Sequence, residues 1–137
     1  NKRKARELAE EYMKSFDLTE RASDKARTLS GGMQRRLSIA MAMISKPKIL
    51  FLDEPTLGLD VMARRKLWKH IEPLKGKVTV ILTTHYLEEA EALADRIAIM
   101  DEGVIKAVGT AEELKQMTKK ESLEDAFVSL CAGEEDI

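Results

Sequence analysis

The sequence predicts a three-layer α/β fold with a parallel sheet and a short antiparallel hairpin at its margin. Three observations carry that prediction. The apolar runs Ile49–Leu52 and Val78–Thr83 are short and β-rich, and each is followed by a segment of helical periodicity. Arg96 to Met100 and Val104 to Val108 flank Asp101-Glu102-Gly103, a hairpin signal. The order strand, helix, strand, helix, strand then favours parallel pairing of the first strands.

The elements follow from local chemistry. Residues from Lys2 to Ser15 have helical spacing, with Leu8, Tyr12, Met13 and Phe16 on one side and the interleaved charges forming a solvated face. DLTERASDKART is a polar connector. Ser30-Gly31-Gly32 opens a helix whose Met33, Leu37, Ala40, Met41 and Ile44 form an expected buried stripe, with Gln34, Arg35, Arg36 and Ser38 off it. Pro47 ends that helix near Lys46. Ile49–Leu52 reads as a strand covered on both faces, closed by Asp53 and Glu54. Asp60 caps a helix from Val61 to about Leu74, with Leu67, Ile71 and Leu74 inward. Gly76 breaks the chain before a second buried strand, Val78–Thr83.

After Thr84-His85, the segment YLEEAEALA is helical with Leu87, Ala90 and Ala94 on one side. Thr110 with Glu113, and Ser122 with Asp125, are capping signals for two short helices; Leu123, Phe127, Leu130 and Cys131 line one face of the second. The final GEEDI reads as frayed.

Composition narrows the function classes. The 137 residues fit one domain or part of one, and the single cysteine, Cys131, excludes an internal disulfide. Lys+Arg at 23 against Asp+Glu at 24 leaves no basic excess for a general nucleic-acid surface. No apolar run approaches the roughly 18 residues that span a bilayer, and NKRKARELAEEY has no hydrophobic signal core. A cytoplasmic location is expected.

The chemistry concentrates around Asp53, Glu54, Ser30-Gly31-Gly32 and His85. An acidic pair after a strand is, taken alone, an ordinary solvated turn. ILFLDEP differs because four apolar residues carry both acids to a strand's C-terminal end, where open parallel sheets place ligands. Successive residues diverge there, so one carboxylate can hold Mg²⁺ and the other can orient a water toward a phosphoryl group. Two glycines before a helix are ordinarily a turn. They also let backbone approach an anion at a helix N-terminus. Ser30 adds a hydroxyl, but no lysine accompanies it. His85 follows the second strand; His70 sits in the charged WKHIE segment and reads as a surface residue.

LSGGMQRR resembles the signature motif of the ATP-binding-cassette family, ILFLDEP its Walker B strand, TLGLD its D-loop and TTH its switch-histidine strand. Four motifs in the family's order cover Leu29 to His85. DRIAIMDEGVIKAVGTAEEL is similar to the family's final hairpin and helix, and SLEDAF to the tail of exporter-type cassettes. The resemblance implies ATP and Mg²⁺ as cofactors. Glu54 is then the general base, Asp53 the Mg²⁺ residue acting through water, and His85 the contact to the γ-phosphate. Ser30, Gly31, Gly32 and Gln34 belong to the signature surface, and Asp60 couples two sites. It further implies a head-to-tail pair of nucleotide-binding domains on a transmembrane permease; the balanced charge argues against a nucleic-acid partner.

G-x-x-x-x-G-K-[ST] occurs nowhere in the sequence. The expected fold is therefore a truncated P-loop NTPase core lacking the Walker A strand. Residues 1–46 end a helical subdomain, 47–109 form the core and hairpin, and 110–137 form C-terminal helices. Without a phosphate loop the segment alone is expected to be inactive. Val78–Thr83 and Arg96–Met100 are expected to pair directly or to close by a strand-swapped homodimer. The alternatives are a soluble cassette ATPase of translation or DNA repair, and a non-catalytic module docking through its signature face.

Overall fold

The computed structural model describes residues 1–132, and the GEEDI segment lies outside the described residues. The chain divides into two compact units, Asn1–Thr83 and Thr84–Ile137.

In the first unit, α1 (Lys2–Ser15), α2 (Gly31–Ile44) and α3 (Val61–Ile71) accompany two parallel strands, β1 (Ile49–Asp53) and β2 (Thr79–Thr83). Their register pairs Ile49 with Thr79 and Asp53 with Thr83, so the expected parallel arrangement is present. The polar connector forms two single 3-10 turns, Thr19–Arg21 and Ala26–Thr28. Asp60 caps α3 by accepting from the Ala63 N–H at 2.8 Å, and Leu67, Ile71 and Leu74 are buried as expected. Each such aliphatic side chain contributes about 1.5–3 kcal/mol by leaving water.

Three expectations change here. Of the expected α2 stripe Ala40 is buried, Met33, Leu37 and Ile44 are half-buried and Met41 is exposed, while Arg36, Ile39 and Met43 complete the buried face. The helix is rotated from the expected stripe because Arg36 is held inward: its Nη1 donates to the Phe16 carbonyl at 2.9 Å. Second, the strands are covered on one face only. Leu50 and Leu52 are buried, while Ile49, Phe51 and the Phe51 partner Ile81 are exposed, because no described element covers that side of the pair. Third, His70 is largely covered instead of lying at the surface. Its ring stacks on Phe16 with centroids 5.6 Å apart, and Nε2 lies 3.3 Å from Asp17 Oδ2.

Burial lowers the His70 pKa below the usual histidine value, and the Arg36 charge lowers it further against an opposing pull from Asp17. The unfolded chain therefore takes up this proton first as pH falls below about 6.5. Stability is undiminished by His70 above that value and declines as pH falls toward the folded-state pKa. Thermal melts between pH 7.5 and 5.5 are expected to show this decline, and His70→Phe, which keeps an aromatic ring on Phe16, is expected to flatten it. Equal slopes for the two proteins would contradict the assignment.

In the second unit, α4 (Leu87–Leu93) precedes the antiparallel hairpin of β3 (Ile97–Asp101) and β4 (Val104–Gly109). Glu102 and Gly103 both have positive φ, at 49° and 76°, the geometry a two-residue hairpin turn needs. Thr110 caps α5 (Ala111–Thr118) and Ser122 caps α6 (Leu123–Cys131), each accepting an N–H at 3.1 Å. Ile97, Ile99, Leu114 and Leu123 form the core, with Leu87, Ala90, Phe127, Leu130 and Cys131 packed against it. Ala94 is exposed rather than inward, because α4 ends at Leu93 and Ala94 turns extended.

The expected direct pairing of the Val78–Thr83 and Arg96–Met100 segments does not form. Among the described residues β2 pairs with β1 alone and β3 with β4 alone. The two-residue turn makes the β3–β4 hairpin the pairing with the smallest loop-closure cost.

Candidate functional site

Parallel pairing brings the C-terminal ends of β1 and β2 side by side, and that end carries the acidic pair. Asp53 is opposite Thr83, whose hydroxyl donates to Asp53 Oδ1 at 2.5 Å. The next residue leaves the strand abruptly: Glu54 has φ 45°, a left-handed conformation. For a residue with a Cβ this costs roughly 1–2 kcal/mol and recurs at functional sites. The Glu54 N–H donates to both the Thr83 carbonyl at 2.9 Å and the Thr83 hydroxyl at 3.1 Å. Its carbonyl accepts from the Leu57 N–H at 3.1 Å, closing a tight turn over Glu54–Leu57.

Arg35 fastens this turn to α2. Its Nη1 donates to the Pro55 carbonyl at 2.6 Å and Nη2 to the Leu57 carbonyl at 2.9 Å. Two bonds from one planar fork fix the loop more firmly than either alone. Arg35, Ser38, Phe51, Asp53, Glu54 and Leu57 line a cleft of about 410 Å³. No cluster of three or more potential metal ligands occurs among the described residues.

The glycine turn forms a second, separate concavity. Ser30, Gly31 and Gly32 line a groove of about 1350 Å³ together with Gly58, Leu59 and Asp60. Ser30 caps α2, its Oγ accepting from the Met33 N–H at 3.3 Å. A Cβ added at Gly31 would meet Leu59 Cδ2 at 3.4 Å, and one at Gly32 would meet Ala63 Cβ at 3.6 Å, both ordinary contacts. Packing within this chain therefore does not demand glycine at either position. Gln34 does not line the groove; its Nε2 donates to the Leu29 carbonyl at 3.1 Å.

The expected site residues thus fall into groups. Asp53 and Glu54 share one cleft, and Ser30, Gly31, Gly32 and Asp60 share another. His85 belongs to the second unit, where it is exposed with its ring centroid 4.4 Å from that of Tyr86. Sequence reasoning missed Arg35 and Thr83. Thr83 was discoverable from parallel pairing, since aligning the C-terminal ends of two parallel strands that finish at Asp53 and Thr83 places the two opposite each other. Nothing in the sequence marks Arg35 above its neighbour Arg36.

A family model described as ABC transporter matches residues 1–57. The chain is 50% identical over 117 residues to a daunorubicin resistance ATP-binding protein of Streptomyces coeruleorubidus, covering 85% of this chain and 37% of the relative. It is 45% identical to a linearmycin resistance ATP-binding protein of Bacillus subtilis, covering 80% of this chain and 36% of that relative. The chain therefore spans little more than a third of these relatives. Among solved structures, an ATP-binding cassette of an ABC transporter aligns with TM-score 0.78 at 28% identity, over 93% of this chain and 49% of that one. The ATP-binding subunit of an ABC transporter aligns with TM-score 0.72 at 31% identity, over 87% and 51%.

Proposed function

We propose, from the premise that the chain belongs to the ATP-binding-cassette family of transporter ATPases, that it contributes to two different ATP sites of a head-to-tail pair. The carrying observation is the separation of the two clefts within Asn1–Thr83: the carboxylates line one and the signature residues the other, with no residue in common. One copy offers each face to a different nucleotide.

In this reading the carboxylate cleft works on a nucleotide cradled by a phosphate loop, which these 137 residues lack. Glu54 orients the attacking water and takes its proton. Asp53 holds a water of the Mg²⁺ shell, and bound Mg²⁺ neutralises charge on the β- and γ-phosphates. His85 donates to the γ-phosphate, a role that rests on its motif. The other face, Ser30, Gly31 and Gly32, presents the N-terminus of α2 to the nucleotide of a second domain. Gln34 supports that turn from within, and Asp60 sits beside it as the link between sites.

The resistance proteins among the relatives favour export across a membrane as the process driven. No described helix is long and apolar enough to cross a bilayer, so a permease partner supplies the path and holds the chain at the cytoplasmic face. The segment on its own does not hydrolyse ATP.

The test uses the assembled ATPase, this segment together with its phosphate-loop half. Asp53→Asn is expected to raise the Mg²⁺ concentration for half-maximal hydrolysis about tenfold and to lower the maximal rate about 100-fold, within the range seen when metal-site residues and their supports are altered. Unchanged Mg²⁺ dependence would remove Asp53 from the site.

A further inference from the structure

We propose that Thr83 is a positioning residue for hydrolysis, acting on both carboxylates at once; this rests on the function proposed for Asp53 and Glu54. One hydroxyl makes two bonds with opposite roles. It donates to Asp53 Oδ1 at 2.5 Å and accepts the Glu54 N–H at 3.1 Å. The carbonyl of the same residue takes the Glu54 N–H at 2.9 Å.

The first bond fixes the rotation of the Asp53 carboxylate and occupies one of its oxygens, leaving the other as the acceptor for a metal-bound water. The second helps hold Glu54 in its left-handed turn, which carries its side chain off the strand line immediately after Asp53. A carboxylate on a free strand end samples several rotamers, and misplacement by about 1 Å costs on the order of 100-fold in a positioned reaction. Thr83 narrows that sampling from the neighbouring strand.

These hydrogen bonds are solvent-exposed. Losing them has a small effect on folding, which separates a positioning role from a structural one. Thr83→Val keeps the shape and β-branching but removes the hydroxyl; Thr83→Ser keeps the hydroxyl. In the assembled ATPase, Thr83→Val is expected to lower kcat about 10–100-fold and to raise the half-saturating Mg²⁺ about fivefold. The KM for ATP should stay within about twofold, because ATP is held by the phosphate loop. Thr83→Ser is expected within about threefold of the parent on every measure.

Two results overturn the proposal: Thr83→Val matching the parent in kcat and Mg²⁺ dependence, or Thr83→Ser failing as badly as Thr83→Val. Should Thr83→Val lower the melting temperature by more than a few degrees, amide exchange at Glu54 in Thr83→Ala and Thr83→Ser decides. Faster exchange in the alanine variant alone supports the hydroxyl's role, and equal exchange rejects it. Normal activity in Asp53→Asn would instead defeat the reading of the acidic pair, independently of anything Thr83 does.

Discussion

Glu54→Gln is expected to abolish ATP hydrolysis in the assembled ATPase while leaving ATP binding intact. Glutamine has the same reach and hydrogen-bonds a water, but it cannot accept the proton that the water must lose. Removing a positioned general base typically costs 10²–10⁴-fold, so residual turnover should lie at or below about 1% of the parent. The backbone geometry should survive. Both bonds from the Glu54 N–H to Thr83 involve the main chain of residue 54, and the turn to Leu57 is closed by its carbonyl. If the function proposed above holds, the variant should therefore accumulate bound ATP, because the closed pair cannot discharge it. Steady-state phosphate release with a filter-binding assay for trapped nucleotide reads both effects. Turnover above about a third of the parent rate would show that another group accepts the proton.

Arg36→Ala is expected to be the most damaging polar substitution for folding. Arg36 is only 4% exposed, and its Nη1 donates to the carbonyl of Phe16, itself buried. Alanine leaves that carbonyl without its donor and leaves a void where the arginine stem packed. An orphaned buried acceptor costs about 1–3 kcal/mol, and lost packing adds to it. A total of about 3 kcal/mol corresponds to a fall in melting temperature of roughly 12–24 °C for a unit of this size. The effect should concentrate in Asn1–Thr83, since Phe16, Asp17, His70 and Arg36 tie α1, α2 and α3 together. Circular dichroism melts of the parent and Arg36→Ala measure it. A shift below about 3 °C would mean that water readily takes the arginine's place.

Much of the fold was legible because local chemistry dictates it. Asp60, Thr110 and Ser122 cap helices where their side chains meet free N–H groups, and the Glu102-Gly103 turn sets the hairpin. The placement of the acids at a strand's end was equally readable, since ILFLD can be little else than a strand. The rotation of α2 was not. Its sequence carries two overlapping apolar stripes, Met33-Leu37-Ala40-Met41-Ile44 and Ile39-Ala40-Met43, and periodicity alone cannot rank them. Arg36 decides the matter through a bond to a carbonyl 20 residues away. Counting it as polar pointed the helix the wrong way.

The exposed strand face has the same kind of cause. A continuous apolar run such as Ile49–Leu52 reads as buried on both faces, whereas Phe51 is 72% exposed. His70 illustrates tertiary override: charged neighbours in sequence said surface, while Phe16 and Asp17 cover it. Arg35 and Thr83 act through main-chain carbonyls and a neighbouring strand, contacts that leave no motif behind.

The end of β1 as the seat of the metal and nucleotide is open to direct mapping. Fe²⁺ in place of Mg²⁺, with ascorbate and peroxide, cuts backbone next to the bound metal. In the assembled ATPase with ATP, scission should occur at Asp53–Glu54, require nucleotide, and disappear in Asp53→Ala. Absence of nucleotide-dependent scission at Asp53–Glu54, or cuts at this point that persist in Asp53→Ala, would contradict it.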